Sequence, residues 1–190
     1  MDTAHSSQIC AGLRVLVLSP TPTHPHDYGN RKRIFEICKR FKDQGAQLTF
    51  VHYPAELEWR TTLPVNAERA MQQCWDHYYT IAPTRPPHTD PSASDHRIDE
   101  WFDSAIGQFL NWLFSVRSFD IFVVNYAWLS GAFDFAPPHT FKILDTHDKV
   151  SGRRQMLKSL KLGPEFFHTT EEQEAIALGR ADLVWAIKGE

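Results

Sequence analysis

Apolar and polar positions alternate between two rhythms along this chain. Residues 13–18 (LRVLVL) form a short β-branched run bounded by Gly12 and by Ser19-Pro20, the pattern of a strand buried on both faces. A breaker-rich loop follows, with Pro20, Pro22, Pro25 and Gly29. From Asn30 to Gln44 the period changes: Ile34, Ile37, Cys38 and Phe41 recur at three and four, which predicts a helix closed by Gly45. Residues 47–53 then read as a second strand. A β-loop-α-β unit with so short a return is right-handed, so its two strands are parallel neighbours.

The pattern repeats towards the C-terminus. A helix is predicted over 66–76 and a weaker third strand over 77–82, followed by a loop carrying Pro83, Pro86, Pro87 and Pro91. Ser94 is placed to cap a long helix from Asp95 to Val116, with Ile98, Phe102, Ala105, Phe109, Leu113 and Val116 as its apolar stripe. Trp101 and Trp112 on that helix read as packing residues. Strands are expected at 121–124, 141–144 and 182–187, and helices at 149–162 (strongly basic) and 170–180. Six strands alternating with helices predict an α/β fold, a doubly wound Rossmann-like parallel sheet with helices on both faces. Residues 1–12 are expected to be a disordered tail, and 13–190 one domain.

Composition narrows the class. The 190 residues are 42% hydrophobic and 23% charged, ordinary globular usage that argues against wholesale disorder. The formal charge of −3 supplies no global field for nucleic acid or an anionic membrane. The apolar stretch 121–133 is interrupted by Asn125, Ser130 and Gly131 and falls short of the roughly 20 residues that a bilayer crossing needs. The first twelve residues lack the basic start and apolar centre of a signal peptide. Cys10, Cys38 and Cys74 stand in no CxxC spacing and read as reduced thiols, with Cys38 in a helix core. A cytoplasmic protein is the expectation.

In such sheets ligands bind at the carboxyl ends of the strands, where the strand order reverses. With the order 3-2-1-4-5-6, loops 19–30, 125–131 and 145–152 converge there. The first loop brings Gly29 and Asn30, two residue types that accept positive φ, to a helix N-terminus that favours anions. Arg31, Lys32 and Arg33 stand at the wrong end of that helix dipole. They point either to a nearby phosphate or acidic sugar or to a solvated basic face continued by Lys39, Arg40 and Lys42; Lys32 fits the solvated face best. The third loop, Asp145-Thr146-His147-Asp148, carries the best single candidate, His147, whose imidazole suits acid–base or hydrogen-bonding work. Asp145 and Asp148 are neighbours able to orient or charge the ring, and Asp145 also reads as structural, bonding loop amides. Trp128 and Phe133 read as core, whereas Tyr126 is placed to stack on a sugar face or donate its hydroxyl. Arg153 either contacts an anion or is solvated, and Arg154 reads as solvated. His24, His26 and Asp27 make only a weak metal pattern, and no metal or cofactor is expected.

Four stretches in order, RVLVLSPTPTHPHDYGNRKRIFEICKRFKDQGAQLTFVHY, FDIFVVNYAWLSGAF, FKILDTHDKVSGRR and EEQEAIALGRADLVWAIKGE, resemble GT-B-fold, family-4-like glycosyltransferases. The resemblance covers Leu13 to Glu190 and implies the N-terminal, acceptor-binding half of such an enzyme. It implies that Gly29 approaches the donor diphosphate, with Asn30 where a second glycine often stands. His147 matches the histidine beside the transferred sugar, positioning or polarising rather than deprotonating. Arg33, Tyr126, Asp148 and Arg153 become the expected acceptor contacts. The implied partners are a nucleotide-diphosphate sugar, a glycan or lipid-linked acceptor and a C-terminal donor-binding half absent from these residues, with no nucleic acid. Peripheral membrane association is open to the complete enzyme. The alternative is a stand-alone module that binds a glycan or phosphorylated ligand without catalysis. A response-regulator or flavodoxin-like domain fits less well, because no acidic cluster follows the first strand.

Overall fold

The computed structural model describes residues 8–54, 63–84, 95–161 and 167–186. Its centre is a six-stranded sheet of β1 (Arg14–Ser19), β2 (Gln47–His52), β3 (His77–Thr80), β4 (Ile121–Asn125), β5 (Phe141–Asp145) and β6 (Leu183–Trp185). The strand order is β3-β2-β1-β4-β5-β6 and every pairing is parallel, so order and direction both match the sequence expectation. The register pairs Val15 with Leu48 on one side and with Ile121 on the other.

Successive β1 side chains serve opposite faces. Val15 and Val17 pack with Leu48, Phe50 and Val123 under α1 (Gly29–Asp43) and α2 (Val65–Cys74). Leu16 and Leu18 pack with Phe122, Val124 and Leu144 against α3 (Ser104–Val116) and a 3-10 helix (Ala127–Phe135). The latter core also takes Ala177 of α5 (Glu171–Leu178). Helices therefore cover both faces of the sheet. Trp128 and Phe133 are core residues, as expected. Cys38 is buried in the α1 core, where burial pushes its thiol pKa up, and the three cysteines are free. Among the described residues no helix is long and apolar enough to cross a membrane.

Four local expectations are corrected. The long helix does not begin at Asp95. It begins at Ser104, where the Asp103 carboxylate accepts from Ala105 N at 2.9 Å, and the proposed cap, Ser94, lies outside the described residues. The preceding segment makes other bonds: His96 bridges to Thr169, and Ile98 N donates to Gln173 Oε1 at 2.9 Å. The buried face of α3 is Ile106, Gly107, Leu110 and Leu113, while Val116 is 57% exposed, so the stripe is phased differently. Trp101 therefore packs from a turn against Trp128 and Phe167, and Trp112 lies half-exposed against Tyr79.

The basic helix is likewise shorter than expected. α4 covers Arg153–Ser159, because Val150 and Ser151 are held by other partners and Gly152 takes a positive φ of 72°. Residues 9–12, expected in a disordered tail, are tied to the α1–β2 turn through Cys10 N to Gln44 O (3.0 Å) and Gly12 N to Gly45 O (3.4 Å). Residues 1–7 and 187 lie outside the described residues.

Candidate functional site

Loops leave the carboxyl ends of β1, β4 and β5 on the same rim of the sheet, and Asn125 joins all three. Its Nδ2 donates to Leu18 O of β1 at 3.1 Å, and its Oδ1 accepts from His147 Nε2 at 2.9 Å. The carbonyl fixes which end of the amide is the donor, so the remaining oxygen requires a proton on Nε2 of the imidazole. Burial lowers the His147 pKa; Asp145 opposes that shift, Arg33 adds to it, and Asp148 opposes it most weakly. The ring is therefore neutral at pH 7 and its Nδ1 is an acceptor.

The backbone at this rim is strained at two positions. Tyr126 and His147 have φ of 73° and 59°, conformations costly for side chains with a Cβ. Their rings lie parallel, 4.4 Å apart with 14° between planes. Asn30 Nδ2 donates to Tyr126 Oη at 3.0 Å and Asn30 Oδ1 accepts from Arg31 N at 2.8 Å. The start of α1 and the imidazole are thus brought together through Tyr126. The expected open crevice between them is filled by that ring, and His147 is 4% exposed.

Positive φ, expected at Gly29 and Asn30, falls on Tyr126 and His147 instead, because α1 begins at Gly29 itself. A Cβ at Gly29 would meet nothing within 4 Å, so the approach to the first turn of α1 is open. The N-cap residue, Tyr28, makes no side-chain cap bond and no acid lies in that turn, while the Arg31 N–H is already taken by Asn30 Oδ1.

The basic cluster is largely answered from within the chain. Arg33 holds Asp145 as a fork, with Nη2 to Oδ1 at 2.9 Å and Nε to Oδ2 at 3.0 Å. Arg31 is buried, 3.5 Å from Asp27, with its guanidinium 4.8 Å from the centre of the Tyr28 ring. Arg153 pairs with Asp148 at 3.3 Å. Lys32 is exposed.

Asp145 lies 3.6 Å from His147, the neighbour it was expected to orient, but its other partner is the Arg33 side chain rather than loop amides. The loop amides belong to Glu174 of α5. This buried carboxylate accepts from Val150 N at 2.9 Å, from Ser151 N at 3.3 Å and from the Ser151 hydroxyl. Sequence reasoning missed Glu174, because nothing in TEEQE marks which glutamate faces inward. Among the described residues no group of three or more His, Cys, Asp or Glu is placed to hold a metal ion.

The arrangement offers a pre-oriented neutral imidazole with one committed donor and one acceptor, held by strained backbone beside the N-terminus of α1. Such a group can position or polarise a hydroxyl. Comparison of the chain with protein-family models, with curated proteins and with solved structures found no match.

Proposed function

We propose that this chain is the acceptor-side half of a glycosyltransferase that moves a sugar from a nucleotide diphosphate to a glycan or lipid-linked acceptor. One observation carries the reading. His147, fixed as its Nε2–H tautomer, is joined through Tyr126 to Asn30 at the start of α1, on the rim where β1, β4 and β5 meet. In this reading the open N-terminal end of α1 at Gly29 accepts the donor phosphates through the Gly29 N–H and the helix dipole. His147 positions a sugar hydroxyl, and Tyr126 with Asn30 sets the ring's orientation. Arg33 acts on the site by holding Asp145 rather than by touching the acceptor. Asp148 and Arg153 form the outer, solvent-facing wall on the acceptor side. A second Rossmann-like half supplies the rest of the donor pocket.

The test uses the complete gene product with a panel of labelled nucleotide-diphosphate sugars, offered glycan and lipid-phosphate acceptors. Transfer or donor hydrolysis is expected with at least one donor, and His147→Ala lowers turnover about tenfold or more, equivalent to about 1.4 kcal/mol. A wild-type protein that turns over none of the donors overturns the transferase reading. An active enzyme indifferent to His147→Ala reassigns that residue to structure.

The burial of His147 favours one second reading, a stand-alone module that binds a glycan or phosphorylated ligand without catalysis. Calorimetry separates the two: tight binding of an acidic oligosaccharide by these 190 residues alone selects the module.

A further inference from the structure

A second concave surface lies away from His147, between the 24–27 loop and the start of α2. It encloses about 450 Å³, within the usual size range of small-molecule sites, and its walls include His24, Pro25, His26, Asp27, Pro64 and Ala67. Its chemistry can be read group by group.

Trp75 Nε1 donates to Thr23 Oγ1 at 3.1 Å, and Thr23 Oγ1 lies 3.0 Å from His24 Nδ1. That contact occupies Nδ1 and leaves Nε2 as the ring nitrogen that His24 has to offer, as donor or acceptor according to its tautomer. Burial, and then the neighbouring His26, lower the His24 pKa, which keeps that ring neutral at pH 7. His26 is exposed and lies parallel to Phe35, 4.8 Å apart at 15°, so it forms a flat plate backed on one face. His24 stands edge-on to it at 79°. Asp27 brings carboxylate oxygens, and buried Arg31 at 3.5 Å balances their charge.

The cleft therefore combines a flat ring, a neutral imidazole nitrogen, a charge-balanced acceptor, the exposed Asn66 amide and proline and alanine walls. A phosphate or uronate would meet the Asp27 carboxylate and find no cationic imidazole at His24. A cation would meet Arg31 behind the only carboxylate among the residues named. A ring with one apolar face and equatorial hydroxyls satisfies each group. We propose that this cleft is a saccharide subsite that takes one neutral, unphosphorylated pyranose. Its C–H face lies against the His26 imidazole and the proline walls, and its hydroxyls are shared between His24 Nε2 and the Asp27 carboxylate. Naming this sugar as part of the acceptor rests on the transferase reading; the binding itself does not.

The experiment follows the imidazole ¹H–¹⁵N signals of the full chain during titration with the methyl pyranosides of glucose, galactose and mannose. Cyclohexanol and glucose phosphate serve as comparison ligands. At least one methyl pyranoside is expected to shift His24 and His26 saturably while His147 stays in place. His26→Ala and Asp27→Asn, both at exposed positions and each checked for wild-type folding by circular dichroism, are each expected to weaken binding about tenfold. The proposal is overturned by the absence of saturable shifts with all three pyranosides, or by equal saturation with cyclohexanol. It is also overturned by tighter binding of glucose phosphate, by shifts confined to His147, or by unchanged affinity in both variants. Pyranoside binding at this cleft in a protein without nucleotide-sugar turnover keeps the subsite and removes the transferase. Turnover without pyranoside binding here does the reverse.

Discussion

Asp145→Asn asks whether the rim around His147 is held by charge or by shape. The carboxylate is fully buried at 0% exposure, and the Arg33 side chain is 34% exposed. Asparagine keeps one acceptor oxygen for the fork but turns an NH2 group towards a guanidinium N–H, so one of the two strong bonds is lost. Removing one partner of a fully buried pair costs about 3–5 kcal/mol. Arg33 has a route to water, which offsets part of that cost, and a single charge-assisted bond contributes about 1.5–3 kcal/mol. The expected loss is about 2 kcal/mol, a fall in Tm of about 4–8 °C for a chain of this size. Urea unfolding followed by circular dichroism reads it as a lower midpoint at unchanged slope. A cycle with Arg33→Met is expected to show coupling of about 1 kcal/mol or more, because the second substitution removes the stranded guanidinium. Asp145 also opposes the effect of burial on His147, so its neutralisation moves the imidazole pKa further down. A loss below about 0.5 kcal/mol, or additive effects in the cycle, refutes a charge-held rim and leaves the Tyr126–His147 stack as its support.

Other perturbations test the surroundings of the site. Burial brings the His52 pKa from 6.5 down to about 4, against a hydrogen bond to Pro20 and with help from Arg31. The unfolded chain therefore takes up that proton first as the pH falls. Stability is full above pH 6.5 and declines towards pH 4, by on the order of 3 kcal/mol for this group. The urea midpoint should follow that decline, and His52→Gln should flatten it; equal slopes in the two proteins count against the assignment. At Gly107 an added Cβ would overlap the Phe135 ring. Gly107→Ala is thus expected to destabilise by about 1 kcal/mol despite its better helix propensity, with Phe135→Leu restoring the loss in thermal melts. Glu174→Gln should cost about 2 kcal/mol and speed hydrogen exchange at the Val150 and Ser151 amides but not within α3. Uniform acceleration across both would mean that Glu174 does not act locally.

The sheet was legible because parallel strands buried on both faces are short, apolar, β-branched runs that need no distant information to recognise. Their order followed from right-handed crossovers. The α1 helix and its Gly45 cap were legible for a similar reason: three-four periodicity and a φ of 89° at Gly45 are local facts. The site was legible as a place, since the loops after β1, β4 and β5 had to share one rim. Its partners were not. Arg33 and Asp145 are 112 positions apart, and a cationic first turn looks the same whether a ligand or the chain's own carboxylate answers it.

Sequence alone thus determined the strands, their order, the two-sided core and the neighbourhood of His147, each expressed through periodicity or chain connectivity. Tertiary structure decided where α3 and α4 begin, which glutamate is buried, which residues take positive φ and which cations are already paired. Those outcomes depend on competition among hydrogen-bond partners in space. Asp103 starts α3 because the residues before it bond to Thr169 and Gln173. The linear pattern does not encode that competition.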